Sequence, residues 1–200
     1  MRISLFTSLM VFLFGIGHIC LAQSDSKTSI WEQKAVSALK YCKENGMNTD
    51  QCILVDMSIH SGKYRLAVYD FNEKRILNTG ICSHGSCDGG GRSGSYETPI
   101  FSNTPESYCS SKGKYKIGKR GYSNYGIHIN YKLHGLEKTN ANAYKRIIVL
   151  HSWSEVPDSE IYPEYAPTSW GCPMVSNAMM KWLDELLQNN DTPMLLWIYE

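Results

Sequence analysis

Short apolar segments closed by turn-forming residues follow one another from residue 52 onward, and this spacing constrains the fold more than any other feature of the chain. Residues 52–56, 64–70 and 76–81 are rich in Ile, Leu, Val and Tyr, and Ser61-Gly62 and Asn72-Glu73 separate them. β-Branched and aromatic runs of this length between turn residues are strand signals. Residues 115–117, 125–129, 146–150 and 194–199 add four more candidates. The spacing therefore predicts a mostly β body of the sandwich or barrel kind. Two segments break the pattern. Residues 29–45 favour a helix, with Ile30, Ala35, Val36, Leu39 and Cys42 apolar and Gly46 as a stop signal. Residues 173–187 carry Val175, Met179, Trp182, Leu183 and Leu186 on one helical stripe.

The second helical segment follows the residues with the most chemical content. His151 ends the apolar run 147–150, and Ser169-Trp170-Gly171-Cys172-Pro173 lies downstream. A lone buried cysteine is ordinarily a small hydrophobe, and a lone histidine after a strand an edge residue. Together they supply a thiol and a base. A catalytic cysteine attacks as the thiolate, so its surroundings must favour that form. Proline suits the first position of a helix, which puts Cys172 at a helix N-terminus, where free N–H groups and the dipole favour an anion. Ser169 and Gly171 give a tight turn, and the Gly171 and Cys172 amides are candidates for an oxyanion hole. Acyl transfer through a cysteine is the leading expectation.

Composition narrows the setting. Two hundred residues, 42% hydrophobic, suffice for one core. The net charge of +1, with basic residues dispersed among acidic ones, offers no footprint for nucleic acid. A charged start, an apolar run over 5–19 and Cys20-Leu21-Ala22-Gln23 resemble a secretory signal cut near Ala22, with a lipoprotein or retained anchor as competitors. The expected organisation is a signal peptide over 1–22, a helical segment over 23–50 and a catalytic domain over 51–200, with no further span. Export permits disulfides. Cys42 with Cys52, and Cys82 with Cys87 or Cys109, are candidate bridges by proximity. The glycine-rich stretch 87–95 lacks the Gly-Lys-Ser/Thr ending and following helix of a phosphate loop. The histidines and cysteines show no paired ligand spacing, so neither a metal nor a cofactor is expected.

The combination of His151 with Ser169-Trp170-Gly171-Cys172-Pro173 resembles the YkuD-like L,D-transpeptidase catalytic family, in its branch with a Ser-Trp-Gly-Cys-Pro box. Val55-Asp56, Ser83-His84-Gly85, His134-Gly135-Leu136-Glu137 and the stretch 142–151 fit the same branch, and the likeness covers about residues 51–180. It implies an exported, periplasmic or cell-envelope enzyme acting on peptidoglycan stem peptides as donor and acceptor. In that reading Cys172 is the nucleophile, His151 the base, Ser152 the residue whose main-chain carbonyl orients the imidazole, and Gly171 part of the oxyanion hole. Ser169, Trp170, His84, Arg92 and Arg146 are the implied substrate contacts. Trp170 stands where the common box has a second histidine, with His84 as a substitute. Met174 replaces a polar or basic residue, leaving Arg92, Arg120 or Arg146 to meet a substrate carboxylate. Hydrolysis of the same thioester and a non-catalytic wall-binding module are the alternatives.

Overall fold

A computed structural model describes residues 30–88 and 97–200. The signal-peptide reading, the glycine-rich stretch beyond Asp88 and Arg92 lie outside them. In chain order the elements are α1 (Ile30–Glu44), β1 (Gln51–Asp56), β2 (Leu66–Asp70), β3 (Arg75–Gly80), β4 (Gly113–Tyr122), β5 (Ile129–Gly135), β6 (Val149–Ser152), β7 (Met174–Val175), α2 (Asn177–Gln188) and β8 (Leu195–Tyr199). The strands form one eight-stranded sheet in the order β3-β2-β1-β8-β4-β5-β6-β7. Its pairs are antiparallel except β1 with β8 and β6 with β7. The sheet nearly closes on itself. Beyond β3 the chain crosses to the opposite edge, where the Ser83 N–H donates to the Met174 carbonyl at 2.8 Å and Gly85 bridges Ser169. A sheet curled this way leaves little open edge for unwanted pairing.

Strands at the centre are covered on both faces. On β1, Ile53 and Val55 join the main core with Leu196 and Ile198 of β8, while Cys52 and Leu54 face α1 together with Leu195 and Tyr199. Burial on both sides explains why Cys52-Ile53-Leu54-Val55 reads as an unbroken apolar run. Helix α1 thus packs on the outer face, through Ala35, Ala38 and Cys42. Val36 and Ile30, expected on its apolar stripe, are exposed. Helix α2 lies against the main core through Met179, Met180, Leu183 and Leu187. Its Asp184 is buried beside them and satisfied by Arg120, Tyr131 and Gln188.

Three expectations need correction. Residues 125–128 form a turn closed by the His128 N–H on the Tyr125 carbonyl at 3.0 Å, so β5 begins only at Ile129. Arg146 and Ile147 are likewise turn residues, since the Arg146 N–H donates to Asn142, and β6 begins at Val149. The single disulfide among the described residues joins Cys87 to Cys109, while Cys42, Cys52, Cys82 and Cys172 are free thiols. Cys82, just beyond the end of β3, is buried in the main core, whereas Cys87 lies in the loop against Tyr108.

Candidate active site

Cys172 stands just before β7, and β7 pairs in parallel with the end of β6 in the register His151 to Met174 and Ser152 to Val175. Alternation along β6 sends Val149 and His151 to the same face. Both line a cavity of about 580 Å³ that Cys172 also lines. A smaller cavity of about 270 Å³, walled by Trp153, Thr168 and Met174, shares His151, Cys172, Trp170 and Tyr125 with the first. The thiol and the imidazole therefore sit at the junction of two recesses.

The helix N-terminus expected at Cys172 is not there. Pairing of Met174 and Val175 with β6 delays α2, which starts at Asn177 with Ser176 as its cap, the Ser176 hydroxyl accepting the Met179 N–H at 3.2 Å. Strand bonding wins because β6 would otherwise present an open edge. The polarity around the sulfur comes instead from a strand. The Val149 N–H donates to Cys172 Sγ at 3.4 Å. Burial pushes the Cys172 thiol up from the ordinary cysteine value, and the Val149 N–H, the Arg146 guanidinium and the Lys132 ammonium oppose that shift.

His151 is nearly enclosed, and its Nδ1 lies 3.0 Å from the Ser152 carbonyl oxygen. A carbonyl only accepts, so Nδ1 carries the proton and Nε2 holds the lone pair in the neutral ring. Burial lowers the basicity of the imidazole, with the Ser152 carbonyl acting in the opposite sense. The Ser152 hydroxyl is occupied elsewhere, accepting the Ile127 N–H at 3.1 Å.

The turn that carries Cys172 is internally braced. Ser169 Oγ donates to the Cys172 carbonyl at 2.6 Å and accepts the Gly171 N–H at 3.0 Å. The Gly171 amide, expected as an oxyanion donor, is thus committed to the turn. Gly171 has φ +106°, and a Cβ there would lie 2.7 Å from the Cys109 carbonyl oxygen, so the chain passes too close for any side chain. Trp170 is 70% exposed and contacts Tyr108, with ring centres 5.6 Å apart, at the rim of both cavities.

Two implied substrate contacts are engaged inside the protein. His84 is buried, its Nδ1 accepts from the Arg65 guanidinium at 2.9 Å, and it lines neither cavity. Arg146 reaches the cavity, yet Nη1 donates to the Ser102 carbonyl and Ser111 Oγ, and Nη2 to Ser107 Oγ and the Cys109 carbonyl. It binds the loop 102–111 to the site. Arg120 pairs with Asp184. The residues that sequence reasoning missed are Tyr125, Tyr108, Lys132 and the Val149 amide. Only Val149 left a trace, being two positions before His151 and so on the same face of one strand. Among the described residues no group of three or more His, Cys, Asp or Glu side chains is arranged to hold a metal. No helix there is long and apolar enough to cross a membrane.

The sequence profile of the YkuD_2 L,D-transpeptidase catalytic domain matches residues 22–199, and the chain belongs to that family. Among solved structures it is similar to an L,D-transpeptidase of Xylanimonas cellulosilytica, at 13% identity and a TM-score of 0.43, over 80% of this chain and 68% of that one. Bd1075 of Bdellovibrio bacteriovorus is similar at 19% identity and 0.45, over 76% and 49% of the two chains. Pgp2 of Campylobacter jejuni, described as a helical cell shape determining protein, is similar at 11% and 0.48, over 75% and 47%. The chain thus spans about half the length of the latter two. No curated protein matches it.

Proposed function

We propose that this domain is an exported cysteine acyltransferase of the cell envelope that acts on peptidoglycan stem peptides, as an L,D-transpeptidase. The observation that carries the reading is that a free, partly exposed Cys172 thiol and the His151 imidazole line the same two recesses, the imidazole's tautomer leaving Nε2 as the base. Two recesses suit a reaction in which a donor and an acceptor meet one sulfur in turn.

In the first half-reaction Cys172 Sγ bonds to the carbonyl carbon on the L-centre of the third residue of a stem, while His151 Nε2 takes the thiol proton. The Cys172 N–H, which has no acceptor among the described residues, meets the oxyanion. Collapse breaks the carbon–nitrogen bond, and His151 returns the proton to the departing amine of the terminal D-residue. In the second half, the amine of a neighbouring stem attacks the thioester, gives its proton to His151, and the sulfur leaves to recover it. Water in place of the amine would make the domain an L,D-carboxypeptidase.

Incubation of reduced protein with disaccharide tetrapeptides, followed by mass, tests this. Cross-linked dimers lacking one D-residue support the proposal, and Cys172→Ala and His151→Ala should each abolish them. Tripeptides alone would replace it with hydrolysis, and binding without turnover would make the domain a wall-peptide module.

A further inference from the structure

Two cations on the wall of the cavity that Cys172 lines have no ion-pair or hydrogen-bond partner among the described residues. Arg146 spends its guanidinium on four groups of the loop 102–111, and Arg120 belongs to Asp184. Lys132 and Lys145 also line the cavity, and neither ammonium makes an ion pair or hydrogen bond among the described residues. The one carboxylate on the same wall, Glu106, is exposed and unpaired with either. Lys132 is half-buried on β5, opposite Val149, whose N–H holds the nucleophilic sulfur. An ammonium held in a recess and left without a counter-charge suits an anion brought in by the ligand.

We infer that Lys132, with Lys145 at the rim, is the carboxylate-recognition element of the site and selects stem peptides bearing a free carboxylate near the scissile bond. This rests on the proposed function. Two carboxylates of a stem have that chemistry, that of the terminal D-residue and that on the side chain of a diamino acid in position three. Tyr108, Tyr122 and Tyr125 line the same recess as exposed rings, and a charge-assisted contact between ammonium and carboxylate is the stronger kind of hydrogen bond available there.

The test is a binding measurement on the full chain carrying Cys172→Ala, so that turnover cannot interfere. Titration calorimetry would compare three disaccharide tetrapeptides, one with free carboxyls, one amidated at the C-terminus and one amidated on the side chain of residue three. We expect one amidation to weaken binding about ten- to a hundredfold, and Lys132→Met to weaken the free acid as much while leaving that amide unchanged. Lys132→Arg should restore part of the preference, and the discriminating amide tells which carboxylate is read. Equal loss for acid and amide, no loss, or no binding of any form would overturn the inference. A Lys132 acting only on the sulfur would give no loss in this variant. Lys132-dependent discrimination in a protein whose native form turns nothing over would instead refute the acyl-transfer reading and leave the carboxylate site standing.

Discussion

Each free cysteine meets a different environment, and that decides its chemistry. Cys42 and Cys82 are buried in apolar surroundings that push their thiols up to about 11 and about 12, and Cys52 is raised as well, so all three are poor nucleophiles near neutrality. Cys172 is partly exposed and touched by the Val149 N–H. Brief treatment of the native protein with iodoacetamide should therefore modify Cys172 and leave Cys42, Cys52 and Cys82 until the chain is unfolded, as read by peptide mass. The pH dependence follows from the directions of the shifts. Burial raises the Cys172 thiol and lowers the His151 imidazole, and both directions favour the neutral forms. On these directions the thiol proton moves to His151 during attack. The labelling rate of the free protein should keep rising through pH 9, and a plateau below pH 8 would contradict a general-base role for His151.

At the level of elements, α2 is tied to the sheet by one buried carboxylate. Asp184 accepts Arg120 Nε at 2.7 Å and the Tyr131 hydroxyl at 2.7 Å, and Arg120 holds its carboxyl below the usual carboxylate value. Removing the acceptor leaves the buried Tyr131 hydroxyl unsatisfied, at a cost of about 1–3 kcal/mol. Asp184→Ala should lower stability in urea by that amount, with a smaller loss for Asp184→Asn, which keeps an acceptor. A folded-state value below the unfolded one gives stability that is present above about pH 4 and is lost as pH falls through the lowered value. The difference between native and Asp184→Ala should accordingly shrink in acid. The same element shows where local reading reaches its limit. Periodicity found the helix, but its first turn was surrendered to β7, since Met174 and Val175 had a strand partner that no local signal records.

For the molecule as a whole, the site is a seam where the two ends of the sheet meet. The strand continuation 83–86 bonds to Ser169 and Met174 on either side of Cys172. Gly85 makes that passage possible, because a Cβ there would lie 2.1 Å from the Tyr108 carbonyl oxygen. The Cys87–Cys109 bridge then fastens the strand to the loop that Arg146 grips. Closing a loop of this length is worth about 3 kcal/mol on chain-entropy grounds. Cys87→Ser/Cys109→Ser should lose stability of that order in a denaturant series. On the proposed function it should also lose activity more than binding, since the bridge positions the Cys172 turn and not the cations of the recess.

The amino-acid sequence by itself determined the β-rich class, the two helices and the candidate thiol and base, because strand alternation, helical stripes and a five-residue box around Cys172 are local patterns. Apolar β1 and β8 were legible for the same reason, being buried on both faces. Tertiary structure alone decided which residues surround the sulfur. His84 became an internal partner of Arg65, Arg146 a clamp on its neighbouring loop, and Lys132 a cation facing the cavity. The physical reason is that a side chain's role follows from its partners. Here those partners lie tens of residues away in the chain, brought together only when a curled sheet joins its own edges.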